Sequence, residues 1–553
     1  MAPHENQSSG RFVPRQYQPE LPQEKFIISH RPEGDDVVPF DVVFVGAGPA
    51  GLSGAIELAR LVKEDGQLSV EIGVLEKAGA LGGHSLSGAV INPVAMRMLF
   101  PQLKDSDFPF RRPVTGERVM LLTKTNAVPI PTPPTMKNHG YYIASLCEVV
   151  RWLGRKAEEA GVNIMAGFPV DSLLVEGTRV LGVRTTPAGL KRDGSVDASG
   201  MPATDVSAQV VVLADGTRSP LAQSYLQWQN IQSAFPQVFA LGVKEIWKVK
   251  KAPDFIAHTL GWPLPKDAFG GSFLYPMAED QVALGLVAGL DYRNPKLDVH
   301  LLLQHLKQHP FFSAILDGGT CIEWGAKTIP EGGYHAIPER LSGDGLVMVG
   351  DTVGLVNVPA LKGIHYAMMS GILAARTIFK ALKAGDTSKE GLATFEADLK
   401  ESFVWKDLKA VRNMRHAFKD GFYLGGVKAT LMTLTGGAFP GDSRHAAEDS
   451  EEWKQFQAPD FPTEKVGLSK VDAVYMSSNK TRDDIPSHLI VGQDIPPELA
   501  DFYQSMCPAG VYERQGDKLI VNAPNCVDCK ATDVLGPRWS PREGGSGPDY
   551  KEM

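Results

Sequence analysis

No stretch of this 553-residue chain approaches the run of about 18 apolar residues that a membrane-spanning helix requires. Its longest strand-like apolar run covers residues 282–290. Cysteine is scarce: five in all, an odd number, which excludes a disulfide framework as the organising device. An excess of positive charge is also missing, and the net charge of −8 argues against nucleic acid as the main partner. The first 38 residues have neither the apolar core of a secretory signal nor the arginine-rich, acid-poor character of a transit peptide, since they carry Glu5, Glu20, Glu24, Glu33, Asp35 and Asp36. Residues 1–38 therefore read as a loosely ordered tail on a protein of bacterial, cytoplasmic type. No internal repeat is present. The 43% hydrophobic and 22% charged residues are those of an ordinary globular protein, and the length allows several domains.

The strongest local pattern lies at residues 41–51, D-V-V-F-V-G-A-G-P-A-G. Four apolar residues suit a buried strand, and the following residues 52–61 continue at helical spacing. Between them Gly46 permits a tight turn, Gly48 lets backbone approach a pyrophosphate, and Gly51 allows close helix–sheet packing. The helix start offers unpaired N–H groups to phosphates. A second apolar run, 70–75, ends in Glu76, which suits a ribose 2′-OH and disfavours a 2′-phosphate. A glycine-rich loop follows at 79–88. Ser145 and Glu148 form a capping box for a helix expected to run to Gly161, with Cys147 in its core. Residues 119–142 hold Pro129, Pro131, Pro133 and Pro134 and cannot be helical. Residues 210–213 suggest another buried strand, leading into Ala214-Asp215-Gly216.

Residues 245–291 read as strands and turns. Within them Gly270 and Gly271 sit between aromatics and offer exposed backbone polar groups inside an apolar wall. That suits a flat ligand with carbonyl oxygens, although a simple sheet bulge is an equal reading. Cys321 falls in a stretch that reads as irregular. At 345–354 an apolar strand ends in Gly350-Asp351, a pairing that in flavin enzymes sets a carboxylate on the ribityl hydroxyls, and a helix is expected from about 363 to 384 with Gly385 as its cap. The two motifs together favour FAD over NAD. No second glycine fingerprint opens a nicotinamide domain, so electrons come from a substrate, another protein or another centre. Lys406, Lys409, Arg412, Arg415 and Lys419 recur at helical spacing and gather on one face; the uncharged residues 429–441 that follow are too few to span a bilayer but enough to dip into its interface. Residues 442–484 read as a polar boundary. Beyond it lie Cys507-Pro and the C-x₂-C of Cys526 and Cys529, which fit an iron–sulfur site; zinc and plain core cysteines are the alternatives.

Together these motifs resemble the electron transfer flavoprotein–ubiquinone oxidoreductase family. The resemblance runs from Asp41 to Met553 and rests on V-G-A-G-P-A-G-L-S, L-S-G at Ser87, G-G-S-F-L-Y, N-V-P-x-x-K-G at Asn357, C-P-A-G-V-Y-E and N-C-V-x-C-K. It implies α/β and α+β architecture: a glutathione-reductase-type FAD-binding Rossmann domain with an interleaved quinone-binding domain and a C-terminal ferredoxin-like domain. The expected boundaries are 39–440 for the FAD and quinone parts (quinone part about 225–335), 441–483 for a linker and 484–553 for the cluster domain. The resemblance implies FAD at Gly46, Gly48, Gly51, Glu76 and Asp351, ubiquinone at Gly270 and Gly271, and a [4Fe–4S] cluster at Cys507, Cys526 and Cys529. It also implies electron transfer flavoprotein as electron donor and peripheral attachment to the cytoplasmic face of a bacterial inner membrane.

One departure stands out. The family pattern continues to a third cysteine after a further two residues, and this chain has Thr532 there. A neutral hydroxyl is a poor ligand for iron in such a cluster. The expected outcomes are a [4Fe–4S] cluster with an oxygen or water ligand, with Asp533 as another donor within reach, a [3Fe–4S] cluster, or an empty site. Two rival functions follow. An FAD-dependent hydroxylase or isoprenoid reductase shares the N-terminal motif but needs no cysteine domain, and an electron-carrying or docking protein would have lost quinone reduction.

Overall fold

The computed structural model describes residues 14–417, 428, 431, 432, 435, 439, 448, 449 and 464–553. The fingerprint folds as its pattern requires. Val42–Val45 is a fully buried strand, Gly46 turns with φ +106°, and Pro49–Asp65 is a helix whose N-cap is Gly48. The second strand is Ile72–Glu76. These lie in a six-stranded sheet ordered Asn163–Ala166, Ile72–Glu76, Val42–Val45, Val210–Leu213, Leu346–Met348 and Ser342–Gly343. All its pairings are parallel except the last. Helices Pro49–Asp65 and Ile364–Ala384 pack on one another, and glycine sets how closely. A Cβ on Gly371 would lie 2.1 Å from the Ala50 carbonyl oxygen, and one on Gly54 would lie 3.0 Å from that of Gly371. Gly385 takes a left-handed φ of +67° and caps the long helix.

A seven-stranded sheet runs Thr320–Pro330, Phe239–Lys248, Gln281–Gly289, Gly270–Ala278, Ile256–Gly261, Glu117–Leu122 and Ala127–Ile130. It is antiparallel except where Ile256–Gly261 meets Glu117–Leu122. Its strands alternate along the chain with those of the parallel sheet, and residues 117–130 join it from well outside the 225–335 segment. Cys321, expected in irregular chain, is instead inside the edge strand Thr320–Pro330, held by ladder bonds to Phe239–Lys248.

Two further corrections concern the ends. The residues before 39 were expected to be a loose tail, yet Ile27–Ser29 pairs in parallel with Val170–Glu176, Val38–Pro39 pairs with Asp205–Ser207, and Phe26 is fully buried in the main core. Apolar side chains outweighed the polar average of that segment. Residues 1–13 lie outside the described residues. Within 441–483, Lys470–Met476 is helical, and the C-terminal segment shares one continuous core with the seven-stranded sheet, joining Trp324 and Leu302 to Phe502, Tyr503 and Leu535. Among the described residues no helix is long and apolar enough to cross a membrane.

Candidate functional site

A single cavity of about 1640 Å³ lies between the two large sheets. Pockets for one small molecule span roughly 300–1,000 Å³, so this one has room for more than one ligand. Its lining includes Gly46, Gly48, Glu76 and Asp351, and also Gly270 and Gly271.

The three fingerprint glycines serve different needs. A Cβ on Gly46 would sit 2.5 Å from the Ala214 carbonyl oxygen, and one on Gly51 would sit 2.1 Å from that of Gly46, so both are fixed by packing. Around Gly48 there is nothing within 4 Å of where a Cβ would be. It opens onto the cavity at the N-terminus of its helix, where a phosphate is favoured by free N–H groups and the helix dipole. Glu76 does more than the sequence suggested. Its carboxylate accepts the Ala47 N–H at 2.9 Å and the Ala78 N–H at 2.8 Å, so it also fixes the turn it is meant to serve. Asp351 follows Gly350, whose N–H donates to Ser370 Oγ at 2.9 Å. Burial pushes the Asp351 carboxyl up to about 6, with Lys327 opposing. These carboxylate acceptors and the open Gly48 cradle fit the adenosine, pyrophosphate and ribityl parts of FAD.

Gly270 and Gly271 begin the strand Gly270–Ala278. Both are packing-limited: a Cβ on Gly270 would lie 2.0 Å from the Val287 carbonyl oxygen, and one on Gly271 would lie 2.6 Å from that of Thr259. Both pair in regular register with Gln281–Gly289, so neither sits at a bulge, and both line the cavity. Beside them His258 Nε2 and the Tyr275 hydroxyl lie 2.7 Å apart, and burial pushes the imidazole down to about 3, keeping it neutral.

The cysteine region is a second, small pocket lined by Cys507, Cys526, Cys529 and Thr532. Cys507 caps helix Pro497–Met506, and the C-x₂-C turn is shaped by left-handed residues, Asp528 with φ +53° and Lys530 with φ +62°. All three thiols are unbridged and buried. Burial raises all three, Cys526 to about 12, and as ligands to a metal centre they would have to give up their protons. Three thiols facing one apolar pocket fit the cysteine ligation of an iron–sulfur cluster. Cys147 is elsewhere, buried in the core as expected.

Sequence reasoning missed the wall between the two pockets. Lys530 and Trp539 line both of them. Two ammonium groups lie over the indole of Trp539, Lys77 at 4.7 Å and Lys530 at 4.5 Å from its ring centroid, and the indole donates from Nε1 to Asp528 at 3.0 Å. Burial opposes ionisation of Asp528, yet Arg542 and Lys77 hold its carboxyl well below the usual range. The only local signal was the charge-rich C-V-D-C-K itself.

The predicted cationic face at 403–419 does not survive intact. The helix Phe403–Ala410 ends, and Arg415 is buried, donating to Glu331 at 2.9 Å and to Asp291 at 2.9 Å and stacking on Phe269. Two carboxylates inside the fold draw it inward. Lys406 and Lys409 remain exposed. Lys419 and most of 429–441 lie outside the described residues.

A glycine-loop parallel sheet, a facing antiparallel sheet and a three-cysteine pocket define a flavoprotein oxidoreductase with a second redox centre. Two family descriptions match the chain: "ETF-QO, ubiquinone-binding" over residues 239–329 and "Electron transfer flavoprotein-ubiquinone oxidoreductase, 4Fe-4S" over residues 464–551. The mitochondrial electron transfer flavoprotein-ubiquinone oxidoreductases of Arabidopsis thaliana and Homo sapiens are 37% and 36% identical to it, each over 93% of this chain, and over 85% and 89% of their own lengths. Among solved structures, a geranylgeranyl bacteriochlorophyll reductase-like protein from Thermoplasma acidophilum aligns with TM-score 0.56 at 18% identity, over 72% of this chain and 90% of that one. At that identity the likeness speaks for the fold alone. The chain belongs to the electron transfer flavoprotein–ubiquinone oxidoreductase family.

Proposed function

We propose that the chain takes electrons from reduced electron transfer flavoprotein and delivers them to ubiquinone, through FAD in the large cavity and a [4Fe–4S]-type cluster in the cysteine pocket. The observation that carries this is the continuity of one cavity from the Gly48 cradle to Gly270 and Gly271, with the cysteine pocket behind the same Lys530–Trp539 wall. FAD accepts electrons singly and gives them up in pairs, and the cluster passes one at a time.

The residues then act by placement. Gly46, Gly48 and Gly51 hold the turn that meets the pyrophosphate. Glu76 keeps that turn closed and offers its remaining lone pairs to the ribose, and Asp351 accepts from the ribityl hydroxyls. Gly270 and Gly271 present backbone to the quinone carbonyls. Cys507, Cys526 and Cys529 hold the cluster, and Lys530, bonded directly to Cys529, brings it against the flavin cavity. The expected domain division, FAD and quinone parts interleaved over 39–440 and the cluster part at the C-terminus, is consistent with these placements.

Ubiquinone lives in the bilayer, so we place the protein peripherally at a membrane, on the cytoplasmic face of a bacterial inner membrane. Exposed Leu361 and Val128, at 51% and 47%, belong to segments that wall the cavity, and they support that reading. The test is oxidation of anaerobically reduced electron transfer flavoprotein by a ubiquinone analogue with the full-length, fully flavinated protein. Quinone-dependent turnover is expected. Its absence would overturn the proposal, and NADPH oxidation in its place would point to a reductase or hydroxylase.

A further inference from the structure

The corner of the cysteine pocket that lacks a thiol carries an inference of its own, resting on the cluster reading above. Cys507, Cys526, Cys529 and Thr532 wall one small pocket, and the other polar side chains around it are already committed. Lys530 Nζ donates to the Thr217 and Arg218 carbonyl oxygens at 3.1 and 3.3 Å. The Trp539 indole is held by Asp528. Thr532 itself shares a hydrogen bond of 3.4 Å with the Tyr512 hydroxyl.

Neighbouring carboxylates cannot fill the corner. Asp533, the nearest in sequence, accepts from Arg218 Nε at 2.7 Å and from the Trp539 backbone N–H at 2.8 Å. Asp528 is bound by Lys77, Trp539 and Arg542. His488 offers a nitrogen within 4.8 Å of a Cys526 and Asp528 ligand atom, but it does not line the pocket. What remains at the corner is a neutral alcohol, and neutral hydroxyls compete poorly with thiolate for the iron of such clusters.

We infer that the chain anchors its cluster through three cysteines and leaves the iron at Thr532 without a protein thiolate, as an exchangeable site that binds small exogenous ligands, a hydroxide or a low-molecular-weight thiolate. Such an iron leaves readily on oxidation. A one-electron oxidant such as ferricyanide takes one electron from [4Fe–4S]²⁺, which releases Fe²⁺ and leaves [3Fe–4S]⁺. A reducing thiol together with Fe²⁺ reverses the change, the thiol returning the electron.

The experiment treats anaerobically purified full-length protein with ferricyanide, then with ⁵⁷Fe²⁺ and dithiothreitol, and reads label uptake by Mössbauer spectroscopy and cluster type by electron paramagnetic resonance. The expected result is a three-iron signal after oxidation and uptake of about one labelled iron per cluster, with Thr532→Cys taking up at least tenfold less. In the wild-type protein 2-mercaptoethanol shifts the signal of the dithionite-reduced cluster, and in the variant it does not. A wild-type cluster that keeps all its iron and takes up no label overturns the inference while leaving the cluster in place, as does equal labelling of the two proteins. Should Thr532→Cys fail to fold, the labelling of the wild-type protein decides alone. Absence of both iron and acid-labile sulfide overturns this inference and the cluster reading together.

Discussion

Lys77 Nζ lies 2.6 Å from Asp528 Oδ2, joining the residue after Glu76 to the turn between Cys526 and Cys529. The pair ties the dinucleotide loop to the cysteine loop across 451 residues of chain, and Trp539 stacks against the same ammonium group.

Lys77→Met therefore loosens the junction without touching a ligand. Removing one partner of a buried pair costs about 3–5 kcal/mol when the other charge is abandoned. Asp528 keeps Arg542 and the Trp539 indole, so the expected loss is smaller, about 2 kcal/mol. In a urea titration followed by cluster absorbance the midpoint falls, while the flavin content of the untreated protein stays at the wild-type ratio. An unchanged midpoint would show that the contact adds nothing to the junction.

The glycines Gly48 and Gly51 separate ligand effects from packing effects. Gly51→Ala drives a methyl group to within 2.1 Å of backbone oxygen, and overpacking of this kind costs about 1–3 kcal/mol. A Cβ at Gly48 meets no protein atom within 4 Å, and the branches of valine extend from it into the space beside the helix start. Gly51→Ala is expected to lower the melting temperature of flavin-free protein. Gly48→Val is expected to leave it nearly unchanged while weakening FAD binding at least tenfold, measured by flavin fluorescence.

Asp351 gives the flavin site a pH dependence. Its carboxyl is raised by burial from an ordinary 3.8 to about 6. The folded, flavin-free protein thus binds this proton more tightly than the unfolded chain, so its stability falls as pH rises from about 4 to about 6. Hydrogen bonds from ribityl hydroxyls favour the ionised form, so FAD affinity rises over the same interval. Isothermal titration at pH 5 and pH 7 checks this: affinity increases with pH in the wild type, and Asp351→Asn flattens the difference. Equal slopes in the two proteins would remove Asp351 from the flavin site.

The parts of this molecule that were legible in the sequence are those whose cause is local. Val42–Val45, Gly46 and Gly48 declare a strand and a turn within a few residues, and Gly385 marks a helix end through its own φ. Gly46, Gly48, Glu76, Asp351, Gly270 and Gly271 line the large cavity and the three cysteines line the small one, whereas Gly51 lines neither. Arg415 was misread because helical spacing says which side chains share a face, not whether that face meets solvent. Its partners Asp291 and Glu331 lie 124 and 84 residues away. The segment holding Ile27–Ser29 and the stretch around Cys321 were misread for the same reason, since their strand partners Val170–Glu176 and Phe239–Lys248 are remote in the chain. The Lys77–Asp528 junction had no periodicity to announce it.

That misreading of Arg415 makes the membrane proposal sharper. Lys406 and Lys409 are exposed on the helix Phe403–Ala410, whereas Arg415 neutralises buried carboxylates. A cation near an anionic lipid surface contributes about 1 kcal/mol. Replacing both Lys406 and Lys409 by Gln should weaken sedimentation with phosphatidylserine-containing vesicles roughly tenfold to thirtyfold, less at high salt, with the fold intact. Arg415→Met should instead cost about 3–5 kcal/mol of stability through the abandoned Asp291 and Glu331 charges. Its effect on vesicle binding should be confined to the unfolded fraction. If the double lysine variant sediments like the wild type at low salt, this helix is not the attachment surface, and the apolar cavity rim around Leu361 and Val128 must account for whatever membrane binding is measured.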